Sequence, residues 1–361
     1  MPTRSEVLAF AAGLRARFEK AGAQPVEPPI LQPAETLLDL YGEDIRARAY
    51  VTSDALRGEQ MLRPDFTVPV VQMHMARGAG AARYTYAGEV FRRQEDHPER
   101  DNEYVQVGYE VFDGASPAEA DAEVFALFAD VLSGRRLRAA TGDIGILMAA
   151  VLGLETTDER KSALIRRIWR PRRFRTLLDR YAGRKPLASD RAALLQAPDP
   201  WVDVAAPVIG KRSGAEINTR LDTLRADAAT PPLSDQQLVA LEQLVNVRET
   251  APFAMAQMRD IAVDLPSIIP ALDRAEARLE ALAGRGVDID HLDFEASYGR
   301  TSMEYYDGFV FGFYIEGRPD LPPVATGGRY DALTRELGDG RAMPAVGAVL
   351  RPGLMLLQED A

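Results

Sequence analysis

Residues 83–112, RYTYAGEVFRRQEDHPERDNEYVQVGYEVF, restrict the fold more than any other part of this chain. Two stretches of alternating apolar and polar residues flank a charged segment. That is the pattern of antiparallel strands joined by a long turn. Alternation predicts that Val105, Val107, Tyr109 and Val111 share one face of the second strand. Gln106, Gly108 and Glu110 then share the other with Tyr104 and Phe112. A glycine between an amide and a carboxylate predicts a gap floored by backbone, able to seat a small cationic or hydrogen-bonding ligand. Arg92, at the end of the first strand, is expected to face the same region once the hairpin closes.

Helical patterns dominate elsewhere. Thr3 and Glu6 form a capping box for a helix that Gly22 stops, with Leu8, Ala11, Ala12, Leu14, Ala16 and Phe18 as its apolar side. Ser116, Pro117 and Glu119 open another, whose core side is Val124, Phe125, Leu127, Phe128, Val131 and Leu132. Residues from about 143 to 283 are mainly helical by pattern. Ser234 and Gln237 cap one helix ahead of Leu238, Leu241, Leu244 and Val245, and another runs through Leu272, Ala275, Leu279 and Leu282 to Gly284. Strands are expected again near residues 291–295, 309–316 and 346–350. Residues 25–33 are proline-dense and extended, which suits a sheet edge. Together these predict a mixed sheet with helices around it and a helical insertion.

Composition removes several chemistries. The chain has no cysteine, which excludes disulfides, thiolate zinc sites and thiol nucleophiles and fits a cytoplasmic protein. His74, His97 and His291 show no metal-ligand spacing. No apolar run approaches membrane-spanning length, and the start lacks a signal-peptide core. The net charge of −11 argues against a surface that grips nucleic acid. Arg166, Arg167, Arg170, Arg172, Arg173 and Arg175 crowd together and read as a solvated helix face. Asp143 stands alone after Thr141-Gly142, so the acid pair of a phosphoribosyl-diphosphate cradle is missing, and there is no P-loop.

Phe91-Arg92, Arg100 and Gln106-x-Gly108-x-Glu110 resemble motif 2 of class II aminoacyl-tRNA synthetases, specifically of the histidyl enzyme. Leu62-Arg63-Pro64-Asp65-Phe66-Thr67 is similar to its Leu-Arg-Pro-Glu-x-Thr motif. Met303-Glu304-Tyr305-Tyr306 is similar to Leu-Asp-Tyr-Tyr, and Gly327-Gly328-Arg329-Tyr330-Asp331 to Gly-Gly-Arg-Tyr-Asp. The resemblance implies an α+β fold with a class II synthetase-like core, a mainly antiparallel sheet flanked by helices. That core would span residues 1–361, with the helical insertion at about 150–270 and no anticodon-binding domain after it. Pro28-Pro29-Ile30 takes the place of motif 1, which implies a homodimer.

The resemblance also implies a histidine pocket. Asp65, Thr67 and Gln106 would hold the ammonium group, and Glu110 with Tyr306 the imidazole, Tyr305 belonging to the same set. An ammonium only donates hydrogen bonds and wants carboxylate, hydroxyl and amide oxygens around it. An imidazole N–H prefers a carboxylate, since charge-assisted bonds are the stronger kind. Asp65 stands where the family has glutamate and is one methylene shorter. Tyr306, Gly308, Val310 and Gly312 share a strand face, on which the glycines are expected to leave room beside the tyrosine.

The departures bear on catalysis. Adenylation needs positive charge aimed at the reacting phosphate. Arg92 keeps the motif 2 charge, but the arginine of motif 3 falls on Leu354 and its preceding glutamate on Gly353. Arg351 lies nearly a helical turn away and is followed by Pro352. A further arginine of the histidyl enzyme falls on Thr301; Arg300 is one residue off and, on a strand, points to the opposite face. Losing one such charge typically costs about 10³–10⁵ in rate.

A pocket kept while the catalytic charges are lost resembles the regulatory-subunit family of ATP phosphoribosyltransferase. This implies a non-catalytic partner of the short catalytic subunit in the first step of histidine biosynthesis, without catalytic residues, cofactor or metal. It implies a homodimer within a hetero-octamer and L-histidine as feedback effector, with neither tRNA nor membrane as partner. Arg92 is then expected to pair with the carboxylate of histidine. The alternative is a histidine-activating synthetase-like enzyme, against which the lost arginines count.

Overall fold

In a computed structural model, which describes residues 2–41, 45–78, 80–94, 100–201, 210–299 and 305–357, the alternation of residues 83–112 becomes a hairpin. His97 and residues 300–304 lie outside the described residues. Strands Ala82–Phe91 and Glu103–Phe112 pair antiparallel, placing Tyr86 opposite Gly108 and Tyr84 opposite Glu110. The hairpin belongs to a nine-stranded sheet. From one edge its order is Gln24–Pro25, Ala82–Phe91, Glu103–Phe112, Ala345–Leu350, Ala325–Arg329, Phe309–Ile315, Leu137–Asp143, Asp293–Glu295 and Arg248–Thr250. Neighbours are antiparallel except at Gln24–Pro25 and between Leu137–Asp143 and Asp293–Glu295. In a separate three-stranded sheet, Leu31–Pro33 is an edge strand within the segment expected to be extended, whereas Gly58–Leu62 and Val51–Asp54 were not legible as strands in the sequence.

Helices cover one face of the large sheet. Arg4–Lys20 carries the expected capping box, and Gly22 takes the expected positive φ of 96°. It buries Ala11, Leu14 and Phe18, whereas Leu8, Ala12 and Ala16 are exposed, against expectation. The helical repeat of 3.6 leaves those three on the flank away from the hairpin. Phe18 packs on Tyr109 and Phe128, with ring centroids 5.5 and 5.2 Å apart. Helix Pro117–Val131 starts where expected, but the Ser116 hydroxyl makes no capping bond. Its Phe125 packs on Phe309, Phe311 and Phe313 of strand Phe309–Ile315. Helix Ile269–Gly284 lies beside it.

Between Asp143 and Gly284 the described residues are mainly helical. Ser234 accepts the Gln237 N–H as its sequence predicts. Helix Pro171–Tyr181 buries Phe174, Leu178 and Tyr181 and leaves Arg172, Arg173 and Arg175 exposed, a solvated face. No helix among the described residues is long and apolar enough to cross a membrane.

The opposite sheet face floors a cleft of about 1600 Å³. Gln106, Val349, Thr326, Val310 and Arg138 all line it, and the register runs Gly108, Val349, Thr326, Gly312 and Ala140 in one row across that face. Gly347 lies directly opposite Glu110, and a Cβ there would fall 1.4 Å from Glu110 Oε2. Overpacking a buried strand typically costs about 1–3 kcal/mol. Gly347→Ala is therefore expected to lose stability at the upper end of that range in urea unfolding; an unchanged midpoint would mean that Glu110 has room to move.

Candidate functional site

The Leu62–Thr67 motif is brought to the hairpin by Arg63. Its guanidinium is buried and donates to the carbonyls of Pro28 at 2.6 Å and Glu89 at 2.8 Å. It also lies 3.8 Å from the Phe66 ring centroid, and Phe66 stacks on Tyr86 at 4.2 Å. This places Asp65 and Thr67 beside the Glu103–Phe112 strand. Asp65 Oδ1 accepts the Val68 N–H at 3.3 Å in the first turn of helix Thr67–Ala76.

Glu110 is the most elaborately held group. Its Oε1 accepts from Thr67 Oγ1 at 3.0 Å and from the Tyr86 hydroxyl at 2.8 Å. Its Oε2 accepts from the Tyr330 hydroxyl at 2.5 Å. Burial pushes its pKa up to about 7, although the three hydroxyl donors pull the other way. The resemblance has Glu110 hold the imidazole; in the structure its oxygens meet hydroxyls of the chain itself. Both carboxylate oxygens are engaged, and the side chain lies beneath the cleft wall rather than in it.

The remaining expected residues do come together: Asp65, Thr67, Arg92, Gln106, Tyr305 and Tyr306 all line the cleft. Arg92 is oriented by a 2.6 Å bond from Nε to the Pro64 carbonyl. Gln106 is 1% exposed, and its Oε1 has no hydrogen-bond partner among the described residues. A buried acceptor of that kind calls for a donor. Tyr306 is buried against Gly328, and its ring centroid is 4.9 Å from that of Tyr305.

The glycine gaps are corrected as well. A Cβ on Gly108 would lie 2.1 Å from the Tyr86 ring. At Gly312 it would lie 2.2 Å from the Tyr298 hydroxyl, and at Gly308 3.1 Å from Arg329 Cδ. The protein's own side chains fill these places, and the open space is the cleft that Gln106 helps to line.

Several supporting residues carried no role in the sequence reading. Tyr86 had a signal, since a closed hairpin sets it across from Gly108. Tyr330 stood in a quoted motif without an assignment. Asp121, Asp143, Arg278 and Arg329 form a buried ionic cluster behind the site, with N–O distances from 2.7 to 3.3 Å. Arg351, although a turn short of the motif 3 position, lines the cleft, as Leu354 also does. The motif positions Arg300, Thr301, Met303 and Glu304 lie outside the described residues.

Comparison with known proteins follows the same lines. The family model for histidyl-tRNA synthetase matches residues 3–200 and 216–353. A curated relative from Rhizobium etli named "ATP phosphoribosyltransferase regulatory subunit" is 33% identical, with 94% of each chain covered. One of the same name from Allorhizobium ampelinum is 34% identical over the same shares. A solved ATP phosphoribosyltransferase regulatory subunit/histidyl-tRNA synthetase from Bacillus halodurans superposes with a TM-score of 0.68 at 20% identity, covering 99% of this chain and 80% of that one. A histidine–tRNA ligase subunit from Alicyclobacillus acidocaldarius gives 0.60 at 23% identity, over 100% and 95%. At these identities the solved structures speak for the fold alone, the α+β class II synthetase core that the motifs implied.

Proposed function

The chain belongs to the family of ATP phosphoribosyltransferase regulatory subunits, and on that premise we propose that it is a non-catalytic, histidine-responsive subunit of that enzyme. It acts in the first step of L-histidine biosynthesis in the cytoplasm and charges no tRNA. The short catalytic subunit needs it for activity and receives histidine feedback through it. The chain forms one synthetase-like unit with a helical insertion. It pairs as a homodimer through the Pro28-Pro29-Ile30 segment, inside a hetero-octamer.

The observation that carries this reading is Gln106: a buried amide oxygen without a donor among the described residues, in a cleft wall shared with Asp65, Thr67 and Arg92. In this reading the histidine ammonium sits among Asp65, Thr67 and Gln106, and its carboxylate meets Arg92. The imidazole lies beside Tyr305 and Tyr306, with the Glu110 carboxyl group one layer below. Feedback is linkage: histidine binds one state of the complex better and shifts the population toward it. A coupling of about 1–3 kcal/mol is typical and suffices for strong inhibition.

Calorimetric titration of L-histidine into the purified chain tests the reading. Saturable one-site binding is expected. A hydrogen bond to a charged group contributes about 1.5–3 kcal/mol, so Arg92→Ala should weaken affinity by about ten- to a hundredfold. No histidine binding by the chain, alone or with the catalytic subunit, sinks the proposal. So does histidine-dependent pyrophosphate exchange into ATP, which would make the chain an activating enzyme.

A further inference from the structure

We propose that the arginine face of helix Pro171–Tyr181 docks the acidic surface of a second copy of this chain, in a contact separate from the Pro28-Pro29-Ile30 pairing. Residues 160–178 hold eight basic residues and no acidic one. The rest of the chain therefore carries −19, the −11 total less these eight. One molecule thus presents two regions of opposite sign.

The fold turns this segment outward. Phe174, Leu178 and Tyr181 are buried and hold the helix down, so Arg172, Arg173 and Arg175 face solvent with Arg166 and Arg167 of the preceding turn. On the packed side, Arg160 and Arg180 both bond Asp227, at 2.7 and 2.9 Å. On the outer side Arg175 meets Glu242 at 3.4 Å. Arg166, Arg167, Arg172 and Arg173 have no acidic partner among the described residues. The chain pairs the arginines it packs and leaves this outer row uncancelled.

Local energetics do not account for the row. Arg172 and Arg173 stand in the first turn of the helix, which holds no acidic residue. The positive end of the helix dipole disfavours cations there. These side chains weaken the helix that carries them, so their compensation is expected outside it.

Charge also selects the occupant. Two copies at −11 repel at a distance, and an approach that sets this row against acidic surface is the favoured one. A nucleic acid could meet the same row, but its phosphates would also meet the −19 of the remaining chain. Each copy offers both surfaces, so copies related by a two-fold axis make the contact twice. The histidine reading plays no part in this.

Sedimentation of the purified chain, with and without nuclease, tests the proposal. At about 0.05 M salt the parent is expected to form an assembly whose mass halves by about 0.5 M, where exposed charges are screened. Arg172→Glu with Arg173→Glu should weaken the association by about tenfold or more. Arg172→Lys with Arg173→Lys, which keeps the charge, should weaken it by about threefold or less. Acidic residues suit a first turn, so the urea midpoint of the glutamate variant should stay level or rise, which separates lost docking from lost folding. Arg166→Glu, outside the helix, should weaken association by about threefold or more and serves if the double variant fails to fold. The proposal is overturned if the parent has one mass at both salts, or if the glutamate variants associate like the parent. It is also overturned if nuclease abolishes the assembly, which would make nucleic acid the partner. The mass left at high salt reports the Pro28-Pro29-Ile30 pairing: a monomer there counts against that pairing and not against this contact.

Discussion

Arg278→Ala is expected to lower the unfolding free energy by about 3–5 kcal/mol, the usual cost of removing one partner from a buried ion pair. Arg278 is 5% exposed and donates to Asp121 Oδ2 at 3.3 Å and to Asp143 Oδ2 at 2.7 Å. Its guanidinium also lies 4.4 Å from the Phe309 ring centroid. Asp121 would keep Arg329, which bonds its Oδ1 at 2.7 Å. Among the described residues, Asp143 would keep only its bond from the Gly145 N–H at 2.8 Å, and no cation. The double variant Arg278→Ala, Asp143→Asn should therefore recover a good part of the loss, because a neutral amide needs no counter-ion. Urea unfolding of both proteins measures this. A loss under about 1 kcal/mol in the single variant would mean that water reaches the cluster. The cluster matters to the site because Arg329 precedes Tyr330, whose hydroxyl holds Glu110.

The second large effect is a pH dependence centred on Glu110. Its pKa stands at about 7 in the folded chain against an ordinary value of 4.5, with burial as the leading cause. The folded state therefore keeps a proton that the unfolded chain releases. Stability from this group is fully present below about pH 4.5 and is lost as pH rises through about 7. Glu110→Gln removes the titration and preserves the shape. Relative to that variant, the parent should lose about 2–3 kcal/mol between about pH 5 and 8. Denaturant unfolding of both across that window is the measurement. A difference that does not change with pH would show that Thr67, Tyr86 and Tyr330 hold Glu110 ionised throughout. Alanine is a poorer probe here, because it strands three buried hydroxyls at once.

Much of the architecture was legible because it depends on neighbours in sequence. Alternation over residues 83–112 is a local signal, and it becomes the hairpin whose register sets Tyr86 against Gly108. The caps at Thr3 and Ser234 are equally local, each closing within a few residues. Ordered motifs carried the family, and the pocket residues they implied, Glu110 excepted, line one cleft.

Tertiary structure decided which spaces are open. Gly108, Gly308 and Gly312 were read as room for a ligand, and Tyr86, Arg329 and Tyr298 occupy them. A glycine announces a missing side chain but not which neighbour moves in. Register likewise put Glu110 in the interior with three hydroxyls and turned Arg351 into the cleft. The ion cluster joins residues as far apart as Asp121 and Arg329, 208 positions in sequence. Periodicity and caps follow from backbone geometry within a few residues, so the chain's order alone determined its hairpin, most of its helices and its family. Occupancy of a buried site depends on distant side chains excluding one another and sharing too few partners, and only the packed fold decides that.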